Sequence, residues 1–393
     1  MTTVVGTELV TFSHQRTARG GRGPGWSVPE FPRLDSERTL VLVFGAPSYL
    51  NDGRAIAELA RWYPTSCIAG CSTSGEIHGS SLRDETLSVA VMRFAHTKLS
   101  LVTAPVRTPA DSFNAGDSLA RQLGGPGLRG VLVLSDGLKV NGSELIRGLN
   151  GVLPTDVVVT GGLAGDGDRF QRTWVLRNGA PADGFISAVG FYGDRVRIGH
   201  GSKGGWDVFG PERVVTRSEG NVLYELDGKP ALPLYKGYLG ERAAGLPATA
   251  LLFPLALRQN GDDKKSLVRT VLSIDEKNQS LVFAGDIPQG SYAQLMRANF
   301  DRLIEGAAES ALMTRSNLNG AVAGPCLTVA VSCVGRRLVL GERTEEELER
   351  SLETLPEGTK QVGFYSYGEI SPYSTGRCDL HNQTMTLTTI TET

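Results

Sequence analysis

The sequence predicts an α/β fold made of two related, duplicated α/β halves with mixed sheets and helices and a ligand cleft between them. Two observations predict it. Short apolar runs alternate with stretches of helical spacing, the grammar of strand–helix–strand units. One motif also recurs, in order, about 300 residues later: Gly70-Cys71-Ser72-Thr73-Ser74-Gly75-Glu76-Ile77 aligns without a gap with Gly363-Phe364-Tyr365-Ser366-Tyr367-Gly368-Glu369-Ile370. Leu82-Arg83-Asp84-Glu85-Thr86-Leu87 then aligns with Leu380-His381-Asn382-Gln383-Thr384-Met385.

In the first half, Thr39–Phe44 reads as a buried strand and Gly53–Trp62 as a helix with Ile56, Leu59 and Ala60 on one face. Pro64 stops that helix, and Cys67–Cys71 is the next strand. Gly130–Leu134, the helix Ser143–Leu149 and Asp156–Thr160 repeat the pattern. Thr160–Asp166 offers a looser copy of the motif, with Gly165-Asp166 in place of Gly-Glu. Near the end, Leu327–Val331 is a strand and Thr344–Leu355 a helix whose Thr344 and Glu347 read as a capping box. Gln361–Tyr365 closes the unit. Between the halves, 184–216 is strand-like, 220–240 reads as helical, 258–290 alternates as strands, and 291–314 reads as a helix with Leu295, Phe300, Leu303 and Ile304 inward. The organisation expected is an N-terminal strand with an Arg/Gly-rich arm over 1–37, one α/β domain over 38–218 and another over 219–393.

Composition narrows the function classes. The 393 residues carry 40 basic and 42 acidic side chains, a balance that argues against nucleic-acid binding by bulk charge. No apolar run is long enough to span a membrane. The first residues lack a basic and an apolar signal region, so a cytoplasmic protein is expected. The five cysteines are odd in number and irregularly spaced, and read as reduced thiols rather than a disulfide framework or a zinc site.

These motifs resemble FIST domains. Gly70–Ile77 and Gly162–Asp166 resemble the N-terminal FIST region, and Glu219–Gly240 the junction into the C-terminal one. Cys333–Arg337, Gly363–Ile370 and Leu380–Thr384 resemble the rest, so the likeness runs over roughly residues 35–390. The resemblance implies a bacterial sensory module that binds a small molecule. Because the FIST region occupies nearly all of the chain, it also implies output in trans to a signalling partner such as a histidine kinase. Some stand-alone members resemble haem proteins that sense nitric oxide.

Candidate sites follow. Glu76 and Glu369 occupy equivalent Gly-Glu turns at strand ends, and read either as two carboxylates in one cleft or as caps of their own turns. The first reading leaves open an enzyme with the two as acid and base. Ser72, Thr73 and Ser74 supply hydroxyls in the first turn, without the Gly-x-Ser-x-Gly pattern of a nucleophile. Asp166, Arg336, Tyr367, His381 and Asn382 complete the candidate ligand-binding set. Were haem bound, His381, His200 or His78 would be its ligand, His381 first, with Cys71 and Cys333 as thiolate alternatives. The glycines around His200 leave room for a flat ligand on which Trp206 would stack.

Overall fold

The computed structural model describes residues 6–13, 25–259, 266–318, 324–372 and 377–393. Three sheets surround one apolar core, and each is built by the same rule. In residues 6–93, the parallel strands Thr39–Gly45 and Cys67–Ser72 flank the helix Arg54–Trp62. Thr86–Arg93 then pairs antiparallel with Thr39–Gly45, and Gly6–Ser13 antiparallel with Thr86–Arg93. The middle unit, 98–192, has the same order, with Val158–Leu163, Leu128–Ser135, Phe185–Tyr192 and Lys98–Pro105 side by side. In the last unit, 196–392, the corresponding strands are Lys360–Ser366, Leu327–Cys333, Met385–Glu392 and Val196–Lys203.

The mixed α/β class and the relationship of first and last units are as the sequence predicts. The middle unit, expected only as a looser copy of a short motif, is a complete third copy. Main-chain bonds align all three. The amides of Ala46, Asp136 and Cys333 donate to the carbonyls of Thr86, Phe185 and Thr384. Those of Ser74, Gly165 and Tyr367 donate to Tyr365, Ser72 and Leu163. Gly70, Gly161 and Gly363 lie so close to the neighbouring strand that an added Cβ would fall within 2.1 Å of the carbonyl of Val43, Val133 or Ala330.

Each unit also lends a strand to another. Glu76–His78 of the first unit pairs with Lys360–Ser366 of the last. Gly368–Pro372 of the last pairs with Val158–Leu163 of the middle unit. Val175–Arg177 of the middle unit pairs with Cys67–Ser72 of the first, which closes the cycle. The inward faces of all three sheets share one core, where Phe44 stacks on Phe364 at 4.9 Å between ring centroids. Helices cover the outer faces. In the first unit residues 25–37 share this role with the helix Arg54–Trp62, with Phe31 and Leu34 buried, so this part of the expected arm is packed. Residues 14–24 of the arm lie outside the described residues.

The last unit carries an insertion between Val196–Lys203 and the helix Phe300–Asn317. It is a nine-stranded antiparallel sheet with the helix Ala231–Leu239. Here local expectation fails in places. Residues 222–226 form a strand, because Gly220, Asp227 and Gly228 adopt positive φ and turn the chain at both ends. The expected domain boundary near 218 falls inside the strand Arg213–Glu219. The helix expected over 291–314 begins only at Phe300, after Asn299 accepts from the Arg302 amide, and Leu295 belongs to the strand Tyr292–Arg297. Phe300 is exposed rather than inward.

Candidate functional site

The C-terminal ends of the parallel strands meet at one end of the core, and a cavity of about 310 Å³ opens there. Such crevices outside strand C-termini are the usual ligand positions of open α/β sheets. Its floor is the Gly137–Asn141 loop that follows the strand Leu128–Ser135, with Leu163 beside it. Gly137 is required there, since a Cβ would meet the Ala164 carbonyl at 1.8 Å. The insertion supplies Thr270, Leu272 and the Phe283–Asp286 stretch, while Cys333–Gly335 and Tyr367 come from the last unit.

Phe170 forms part of the rim. It belongs to residues 166–173, which interrupt the repeat in the middle unit alone. The Asp166 carboxylate accepts from the amides of Phe170, Gln171 and Arg172, all at 2.9 Å, and so gathers this segment into a tight loop. Phe170 has φ of 51° and is 47% exposed, and its ring lies on Tyr367. The Tyr367 hydroxyl donates to the Asp166 carboxylate and the Gly167 carbonyl. Burial and the Asp166 charge push this phenol well above its usual range.

Among the expected residues, only Tyr367 and Cys333 line this cavity. The two glutamates do not share a cleft. Glu76 is 1% exposed and accepts from Thr73 Oγ1 at 2.5 Å, the Thr86 amide at 3.0 Å and Thr86 Oγ1 at 2.9 Å. Glu369 is 0% exposed and accepts from Ser366 Oγ, the Thr384 amide and Thr384 Oγ1 in the same arrangement. Each carboxyl is closed off by its own turn, the capping reading. Burial raises both to about 8 against those hydrogen bonds. Glu76, Thr73 and Ser74 do border a smaller, polar hollow of about 260 Å³. The register gives the middle-unit counterparts as Ala164, Val175 and Phe185, so acceptor and donors are replaced together by apolar side chains. Asp166 is therefore not the third member of the Glu76 and Glu369 set.

The remaining candidates are structural in position. Ser72 Oγ accepts from the Trp174 amide. Arg336 is wholly buried and pairs with Glu347 at 2.7 Å, which is why Thr344 and Glu347 form no capping box. Asn382 is buried, and neither of its amide atoms has a partner. The Trp206 indole donates to the Gln383 carbonyl and is buried, so it is not free to stack on a ligand.

The histidines do not fit a haem site. His381 is buried and its Nε2–H donates to the Ser371 carbonyl, while burial holds the ring neutral. His78 contacts Ser88 Oγ and is lowered to about 4, chiefly by burial. His200 lies on the strand Val196–Lys203, and none of the three lines the 310 Å³ cavity. Cys71 is enclosed in the core, and burial drives both its thiol and that of Cys333 upward, away from thiolate. No group of three or more His, Cys, Asp or Glu side chains suited to a metal occurs among the described residues. No helix among them is long and apolar enough to cross a membrane.

Sequence reasoning missed Asn141, Phe170, Thr270 and Asp286. Asn141 had a signal, since its side chain caps the helix Gly142–Val152 by accepting from the Glu144 amide, three residues on. Thr270 and Asp286 lie in the insertion, where no repeat guides the eye.

The sheets and the cavity at their strand ends define an α/β ligand-binding module. The chain belongs to the FIST family: the FIST N domain matches residues 39–229 and the FIST C domain residues 231–372. FIST domains are small-ligand sensing domains of signal transduction. No curated protein matches the sequence. Among solved structures, a cyanuric acid hydrolase from A. caulinodans aligns over 76% of this chain and 99% of its own, at 12% identity and a TM-score of 0.19. That score supports no inference about this chain.

Proposed function

We propose that the protein senses a small molecule bound in the 310 Å³ cavity and passes the signal to a separate partner, such as a histidine kinase, in the cytoplasm. The cavity carries this reading. It is walled by residues of both FIST regions, Leu138 and Asn141 on one side and Thr270 and Asp286 on the other. Its volume is at the low end of the roughly 300–1,000 Å³ of ligand pockets. A molecule held there touches both regions, and it shifts their arrangement to the extent that it binds one arrangement better. Haem-based sensing of nitric oxide is not part of this reading, because none of His78, His200 and His381 borders the cavity.

The experiment is a thermal-shift screen of pooled metabolites against the wild type and Ala284→Phe. Ala284 lines the cavity, and the larger ring fills it. Compounds that raise the melting temperature of the wild type should fail to do so with the variant. Equal shifts in both proteins would place the ligand elsewhere.

A further inference from the structure

We infer that the cavity selects a compact, flat-bodied amine without a carboxylate, its ammonium held by Asp286 and Thr270 and its apolar body against Phe170, Tyr367 and Phe283. This rests on the cavity being the ligand site, and it follows from which hydrogen-bonding groups are already spent.

Several donors of the wall are used. Asn141 Nδ2 donates to Asp286 Oδ1 at 3.2 Å, and Asn221 Nδ2 to the Phe283 carbonyl at 2.7 Å. The Tyr367 hydroxyl donates to Asp166 and Gly167. The amides of Gly137, Leu138 and Ala284 donate to Thr173 Oγ1, Asp136 Oδ1 and the Thr270 carbonyl.

Acceptors remain. Thr270 is 4% exposed, and its Oγ1 is buried without a hydrogen-bond partner. Leaving such an atom unpaired is costly, and a ligand donor removes that cost. Asp286 forms no salt bridge among the described residues: its Oδ1 accepts from Asn141 at 3.2 Å, and the buried Arg269 guanidinium acts on the carboxylate through its charge without bonding it. Among the described residues, no Lys, Arg or His lines the cavity. Arg269, adjacent in sequence to Thr270, is not part of the lining: it donates to the carbonyls of Val268, Leu380 and Asp286. A wall whose one charged side chain among the described residues is a carboxylate, with a hydroxyl free to accept beside it, takes a group with several donors and a positive charge, which describes an ammonium. It also rejects anions, since a carboxylate or phosphate would be desolvated beside Asp286 with no partner. The other walls are apolar: Leu138, Val140, Leu163, Phe283 and the stacked pair of Phe170 and Tyr367.

The test is calorimetric titration of the full chain with four probes of similar size: 2-phenylethylamine, 2-phenylethanol, 3-phenylpropanoate and phenylalanine. The amine should bind at least tenfold more tightly than the alcohol, and the two carboxylates more weakly still. In Asp286→Asn the amine should fall to the level of the alcohol, while the alcohol is unaffected. A carboxylate that binds as well as the amine, an amine unaffected by Asp286→Asn, or an amine that does not bind up to millimolar concentration overturns this inference. Each of these leaves the cavity itself standing. An amine that binds the wild type and Ala284→Phe equally well overturns the cavity reading instead.

Discussion

Phe170 lies flat on Tyr367, with ring centroids 4.5 Å apart and planes 12° from parallel. The loop that interrupts the repeat in the middle unit is thereby fastened to a turn of the last unit, at the mouth of the cavity. Asp166 serves both sides, accepting from three amides of its own loop and from the Tyr367 hydroxyl.

Tyr367→Phe keeps the ring stack and removes the donor. A hydrogen bond to a charged group contributes about 1.5–3 kcal/mol, so the variant should lose stability within that range. Urea unfolding of wild type and variant measures it. Phe170→Ala should cost less, because the ring is half exposed, yet it should weaken any ligand of the cavity more than Tyr367→Phe does. Equal stabilities for wild type and Tyr367→Phe would show that the hydroxyl does not secure the loop.

The two buried glutamates predict a particular dependence on pH. Each is raised to about 8 in the folded protein from an ordinary 4.5. Between those values the folded state holds protons that the unfolded state has released. Stability should therefore fall as pH rises from 4.5 to 8, by at most about 1.4 kcal/mol per pH unit for each carboxyl. Glutamine mimics the protonated form: Oε1 accepts from the Thr86 amide and hydroxyl, and the Thr73 hydroxyl turns to accept from Nε2. Glu76→Gln and Glu369→Gln should thus match the wild type near pH 5, exceed it increasingly up to about pH 8 and hold that lead above it. Parallel curves of unfolding free energy against pH would refute this. Binding in the main cavity should be unaffected, since neither residue lines it.

The middle unit suggests how these carboxyls are tolerated. It dispenses with the whole polar set, placing Ala164, Val175 and Phe185 where the first unit has Thr73, Glu76 and Thr86. Glu76→Val alone strands two buried hydroxyls and one amide, and each buried group left unpaired costs about 1–3 kcal/mol. Adding Thr73→Ala and Thr86→Val should restore part of the loss. Chemical denaturation of the single and triple variants tests this non-additivity. A triple variant less stable than Glu76→Val would mean that the apolar set works only within the middle unit.

Much of this architecture was legible in the sequence because folding devices repeat. The Gly-Glu turns marked the ends of two parallel strands, and their alignment extended to Arg83 and His381, which do face Glu76 and Glu369 in register. The third copy was hidden for two physical reasons. Its polar set is apolar, and eight residues, 166–173, separate its turn from its lent strand. Glu85, Gly184 and Gln383 share positive φ of 55°, 70° and 62°, but only a glycine betrays that conformation in a sequence. The cavity was the least legible part, for its walls come from the middle unit, the insertion and the last unit, and the two motif glutamates do not line it.

The last prediction concerns Arg336. Its guanidinium is wholly buried and pairs with Glu347 through Nε at 3.1 Å and Nη2 at 2.7 Å. It also donates to the carbonyls of Gly204 and Leu303, which bracket the insertion. Glu347 in turn accepts from Ser332 Oγ and the Tyr365 hydroxyl. The pair thus ties the Thr344–Thr354 helix, two strands of the last sheet and both roots of the insertion into one network. Removing one partner of a buried ion pair costs about 3–5 kcal/mol, because the other charge is left uncompensated. Arg336→Met should therefore lose that much in denaturant unfolding. The double variant Arg336→Met with Glu347→Leu leaves no stranded charge and should recover part of it. Proteolysis adds a local readout: in Arg336→Met, cleavage near Gly204 and Leu303 should accelerate more than cleavage elsewhere. Uniform acceleration along the chain would show that Arg336 supports global stability without holding the insertion in place.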